Sequence, residues 1–128
     1  MSRWAYALIA VAGLAGAAGV VEAAVGAHGA SDPRLATSAQ FLMLNAAASM
    51  ALSAFARAAT RGSALFLGAA TVLLGGGILF CTDLSLRVFM VQRLFAFAAP
   101  LGGTLMIIGW LIAAATAIAC GVSRQHAK

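Results

Sequence analysis

Apolar residues run in four long stretches along this chain, and most charged residues fall in the short connections between them. The first stretch extends from about Trp4 to Gly26, the second from about Thr37 to Ala56, and the third from Ala64 to Phe80. The fourth begins near Pro100, at about residue 98, and continues to Cys120. A helix needs about 20 residues to cross the hydrocarbon of a bilayer, and each stretch is near that length. In hydrocarbon every backbone N–H and C=O has to be satisfied within the protein, which leaves helices or a closed barrel. The stretches lack strand alternation. The pattern therefore predicts an all-α membrane protein, an antiparallel bundle of four transmembrane helices, with residues 1–128 forming a single integral membrane domain.

The connections carry their own signals. His28 to Ala36 contains Gly29, Ser31, Asp32, Pro33 and Arg34, and Pro33 forbids a helix from running on through it. Arg57, Arg61 and Gly62 end the second stretch, and Asp83, Arg87 and Arg93 mark the third connection. Leu84 to Ala99 is apolar enough to extend a span, but Arg87 and Arg93 favour a segment lying along the interface. Pro100 suits the first turn of a helix, where its missing N–H has no partner to lose. The tail, Ser123 to Lys128, is polar.

Composition reinforces the class. The chain of 128 residues is 63% hydrophobic and 9% charged, whereas soluble domains are about a quarter charged. Four spans leave no room for a separate catalytic module. Lys and Arg in short loops favour the cytoplasmic side. Arg3, Arg57, Arg61, Arg124 and Lys128 fall on one side, against Arg34, Arg87 and Arg93 on the other. Both termini are therefore expected in the cytoplasm. The net charge of +5 reflects this topology rather than nucleic-acid binding, since no basic stripe with interleaved aromatics is present. The N-terminal run also resembles a secretory signal peptide with Glu22-Ala23-Ala24 near its cleavage site, although Glu22 sits awkwardly there; retention of the first span is the preferred reading.

Catalytic chemistry is not indicated. Cys81 and Cys120 fall near opposite ends of different spans, too far apart for a disulfide, and read as small buried hydrophobes. No CxxC, HExxH, GxSxG or paired His and Cys suggests a metal, a cofactor or a nucleophile. The chain is not expected to be an enzyme.

Small residues carry a clearer message. Ala12, Gly16, Gly19, Ala23 and Gly26 recur at spacings of four and three and line one face of the first helix, where a neighbouring helix can approach closely. Gly68, Gly75, Gly76 and Gly77 are expected to do similar work in the third, with a mobile gate as the alternative. In the second span Asn45, Ser49, Ser53 and Arg57 are spaced by four and form a polar seam, either interhelical glue or a permeation path. Arg57 is expected to snorkel to the headgroups, and Trp4 to anchor at the interface.

Glu22 is the sharpest polar candidate, because a carboxylate within an apolar span usually finds a partner, a cavity or a proton. Asn45 and Arg93 are its expected partners if the helix faces match. A structural contact is favoured over proton or cation handling, since Glu22 lies little more than a turn from the outer end.

Several local sequences form a recognisable set: Val25-Gly26-Ala27-His28 after the first span, Arg93 through Phe97 to Pro100-Leu101-Gly102-Gly103 before the last, and Gly109-Trp110 within it. These resemble the YgdD-like family of small bacterial inner-membrane proteins, domain-of-unknown-function family 423, over most of the chain. Gly26, His28, Arg93, Pro100, Gly102, Gly103 and Trp110 are the motif positions carried over. The chain departs from the family pattern at Phe41-Leu42 (Tyr-Gln in the family), Asn45 (His), Cys81-Thr82-Asp83 (Ser-Gly-Ser) and Ala99 (Thr). An amide at Asn45 cannot exchange a proton near neutral pH as an imidazole can. His28, alone at an interface, is expected to bond a loop rather than bind a metal. The resemblance implies fold and inner-membrane location, and no established activity.

Two functions follow as expectations. One is a structural or accessory protein whose partners are the lipid bilayer, its own helices or subunits of a membrane complex. The other is a small proton- or cation-coupled transporter using Glu22, similar to small multidrug exporters at the level of fold alone. Against it, Glu22 is shallow, whereas transporter sites lie near the midplane.

Overall fold

The computed structural model describes residues 2–29 and 32–128. Met1, Ala30 and Ser31, the last of these a turn residue in the first connection, lie outside the described residues. Four helices account for most of the chain: α1 (Ser2–His28), α2 (Pro33–Ala58), α3 (Ser63–Phe89) and α4 (Ala98–His126). Each is long and apolar enough to cross a membrane, and no strand occurs among the described residues.

The helices run alternately up and down, each packed along its predecessor, and α1 touches α3 only lightly. The bundle is thus open between α1 and α4. The inner helices, α2 and α3, supply most of the buried residues, with Leu35, Leu67 and Leu73 fully enclosed.

Three boundaries lie several residues from the sequence expectation, one of them the end of α4, which runs on to His126 rather than stopping at Cys120. Helix α2 begins at Pro33 rather than Thr37, because the Asp32 carboxylate accepts from the Arg34 N–H at 2.9 Å as an N-cap and Pro33 takes the first helical position. Helix α3 continues through Phe89 instead of ending at Phe80. Asp83 and Arg87, expected in a connection, lie one turn apart on that helix and pair at 2.6 Å, with Asp83 fully buried. Asp83 also accepts from the Leu94 N–H at 2.9 Å. One carboxylate therefore fastens the α3–α4 connection to the helix that precedes it.

Glycine sets the closest helix contacts. Gly62, at φ 72°, starts α3 in the left-handed region, and a Cβ there would lie 2.8 Å from the Thr116 methyl and 2.9 Å from the Cys120 sulfur. The triple glycine does not break α3, which is continuous through it. Gly76 faces α4, where a Cβ would meet the Gly102 carbonyl oxygen at 2.8 Å, and Gly77 faces Asn45 of α2.

Candidate functional site

Glu22 of α1 meets two hydroxyls, one from each inner helix. Ser38 Oγ of α2 donates to Glu22 Oε2 at 2.7 Å, and Ser85 Oγ of α3 donates to Glu22 Oε1. Ser38 is fully buried and also lies 3.3 Å from the Cys81 carbonyl oxygen and 3.4 Å from Ser85 Oγ. A hydroxyl has one proton to give, and the short contact to the carboxylate takes it. Cys81 returns the link between α2 and α3 by donating its thiol to the Ser38 carbonyl at 3.1 Å. Three helices thus converge on one carboxylate.

The carboxylate borders a cleft of about 460 Å³ between α1 and α3, with Leu42 of α2 also in its lining. Leu14 and Ala18 on one wall and Ile78 and Leu86 on the other make it largely apolar, and Thr82 and Ser85 add hydroxyls. It exists because α1 and α3 both pack on α2 but hardly on each other. Hydrogen bonds bridge them from Trp4 Nε1 to Thr71 Oγ1 at 3.0 Å towards one end and from Ser85 to Glu22 towards the other.

The expected Glu22 partners are replaced. Asn45 is buried elsewhere, donating to the Phe41 carbonyl at 2.8 Å and to the Met106 sulfur at 3.0 Å, and so ties α2 to α4. Its Oδ1 is buried without a hydrogen-bond partner. Arg93 is exposed, in a hollow at the α3–α4 connection that it shares with Arg34 and Arg87. The faces of α1 and α2 are rotated so that Ser38, seven residues before Asn45 and on the same side of α2, takes the carboxylate.

The polar seam of α2 is buried at Asn45, Ser49 and Ser53, and Ser49 donates across to the Ala70 carbonyl of α3 at 3.1 Å. Arg57 leaves the core, donating to Tyr6 Oη at 3.0 Å with its guanidinium 4.8 Å above the same ring. Arg124 reaches Thr60 at 3.2 Å. The bundle end that carries Arg57 and Arg124 is thus the one opposite Arg34, Arg87 and Arg93.

The small-residue face of α1 packs on α2. Ala12 is fully buried, Gly16 faces Ala46, Gly19 lies under Met43 and the Ala39 carbonyl, and Gly26 faces Leu35. Ala23 borders a shallow hollow beside Gly26. In α3 the expectation fails for Gly68 and Gly75, which face open space. Successive helical residues point about 100° apart, and here Gly76 and Gly77 hold the inward directions.

Among the family-motif positions, Gly102 forms the α3–α4 contact, whereas Gly103 faces open space. Pro100 lies in the first turn of α4, Trp110 is exposed on the outward side of that helix, and His28 is exposed in the last turn of α1. Cys81 and Cys120 are both free thiols. Among the described residues no group of His, Cys, Asp and Glu could hold a metal ion.

Ser38, Ser85 and the buried role of Asp83 were missed in the sequence. Extending the α2 seam back two turns from Asn45 reaches Ser38. Continuing α3 past Phe80 by fours from Gly77 reaches Cys81 and Ser85.

Four apolar helices with a partly buried carboxylate between three of them define a multi-pass membrane protein. The chain belongs to the family described as Protein of unknown function (DUF423), whose model matches residues 22–103. That stretch takes in Glu22, Ser38, Ser85 and the Gly76–Gly102 contact. No curated protein and no solved structure matches the chain.

Proposed function

We propose that this protein is an accessory component of a bacterial inner membrane, with both termini cytoplasmic, whose outer helices pack against other membrane helices or a second copy. The observation that carries this reading is the uncovered state of α4, only 17% of whose most apolar stretch is buried. Ile107, Leu111 and Ile118 lie exposed along it, with the small residues Ala114 and Ala115 exposed between them. Small residues among branched ones suit close approach by another helix, because association in lipid depends on van der Waals contact. The excess of basic residues at the end that holds Arg57, Arg61, Arg124 and Lys128 supports the orientation.

Purification of the full chain in mild detergent with mass spectrometry tests the role. Stoichiometric recovery with one defined membrane complex, lost on replacing Leu111 and Ala115 by bulky polar residues, is the expected result. Recovery as a self-contained species that catalyses proton-coupled uptake in liposomes would overturn it. That second reading, a transporter using Glu22, is favoured by one observation: the carboxylate borders a cleft between two helices.

A further inference from the structure

The described residues contain two ion pairs, Asp32 with Arg34 and Asp83 with Arg87. Each aspartate of the chain has its arginine. Glu22, the remaining acidic residue among the three in the sequence, has hydroxyl donors and, among the described residues, no cation. A carboxylate in an apolar span needs a counter-charge or a proton, and none of the residues lining its cleft is basic.

We propose that the cleft between α1 and α3 is a binding site for an amphiphilic ammonium, a molecule with one cationic amine head and an apolar body, taken from the surrounding lipid. Glu22 is its counter-ion. The volume, about 460 Å³, falls in the range of small-molecule sites, which are mostly apolar with a few placed polar groups. Ser38 and Ser85 each occupy one lone-pair position on a different carboxylate oxygen. A carboxylate has about four such positions, so N–H donors of an ammonium can use the others while the hydroxyls hold the group in place. The apolar body lies against Leu14, Ala18 and Ile78. An anionic amphiphile of the same shape meets the carboxylate and is rejected, and a neutral one lacks the charge-assisted bond. The site is independent of the accessory role, since it lies on the α1–α3 side rather than on the outer face of α4.

The test is photolabelling of the full chain in phosphatidylcholine vesicles. One probe is a dodecylammonium with a diazirine in its tail, and the second is the dodecanol of identical tail. The ammonium is expected to label α1 and α3 around Leu14 and Ile78, with competition by plain dodecylammonium and not by dodecanol. Glu22→Gln is expected to reduce ammonium labelling about tenfold or more, the equivalent of one lost hydrogen bond to a charged group, and to leave dodecanol labelling unchanged. Ala18→Phe, which fills the cleft and keeps Glu22, is expected to abolish ammonium labelling around Leu14 and Ile78. Equal labelling of this region by the two wild-type probes, or ammonium labelling spread over α4, overturns the proposal, as does undiminished labelling in Glu22→Gln. The wild-type comparison stands even where a variant fails to fold. No partner protein is present in the vesicles, so failure here leaves the accessory reading untouched.

Discussion

Gly76 and Gly102 bring the backbones of α3 and α4 into contact: a Cβ on Gly102 would lie 2.7 Å from the Gly76 carbonyl oxygen and 2.7 Å from the Phe80 nitrogen. Both obstacles are main chain, so neither can swing aside. Gly102→Ala or Gly76→Ala is expected to destabilise the protein by about 1–3 kcal/mol, the range for overpacking a filled interior. Gly75→Ala, in open space one position away, is expected to be neutral or to gain up to about 1 kcal/mol from helix propensity. Reversible unfolding in mixed micelles compares the three.

Ser38→Ala removes the buried donor to Glu22 and the neighbour of the Cys81 carbonyl. A loss of about 1–3 kcal/mol is expected, since a partly buried carboxyl oxygen loses its donor. Ser49→Ala, which removes a bond to a main-chain carbonyl in the same buried seam, is expected to cost about 0.6 kcal/mol, the mean for membrane interhelical bonds. The same unfolding measurement orders the two variants, and a larger loss at Ser49 would contradict the central place given to Glu22.

Asp83 serves two masters, Arg87 and the Leu94 N–H. Asp83→Asn keeps an acceptor for Leu94 and breaks the ion pair, whereas Asp83→Ala loses both. Breaking a buried pair costs about 3–5 kcal/mol, and the partial exposure of Arg87 places Asp83→Asn at the lower end, with Asp83→Ala more damaging. Limited proteolysis within residues 90–97 should follow the same order, because the alanine variant frees that connection.

Asp32 gives a pH dependence with a definite sign. Its hydrogen bonds with Arg34 hold its carboxyl below the ordinary value of 3.8, so the folded state keeps the charge to lower pH than the unfolded chain does. The stabilisation is fully present above the unfolded value and is lost as pH falls through the lowered folded one. Asp32→Asn retains capping ability without the charge. Melting curves between about pH 5 and pH 2 should therefore fall less steeply in this variant than in wild type, and the two should run parallel above pH 5.

The number and order of the helices were legible because hydrocarbon tolerates little besides uninterrupted apolar helix. The end of α3 was not, because Asp83 and Arg87 resemble a polar connection when counted singly. Spaced by four on one helix they neutralise each other, and the helix runs on. Ser85 was hidden by the same misplacement, being beyond the expected end at Phe80. The partners of Glu22 depended on how α1 and α2 are rotated about their axes, and no spacing within one helix reports that angle. The three consecutive glycines posed the same problem, and only the facing residues, Gly102 on α4 and Asn45 on α2, decide which of them pack.

Because successive helices hold each other in chain order and α1 scarcely meets α4, the molecule has two free rims rather than a closed ring. A further transmembrane segment, whether from a fusion, a duplication or a neighbouring polypeptide, can be laid along either rim without unmaking any internal joint. Growth by simple addition at its margins is built into this topology.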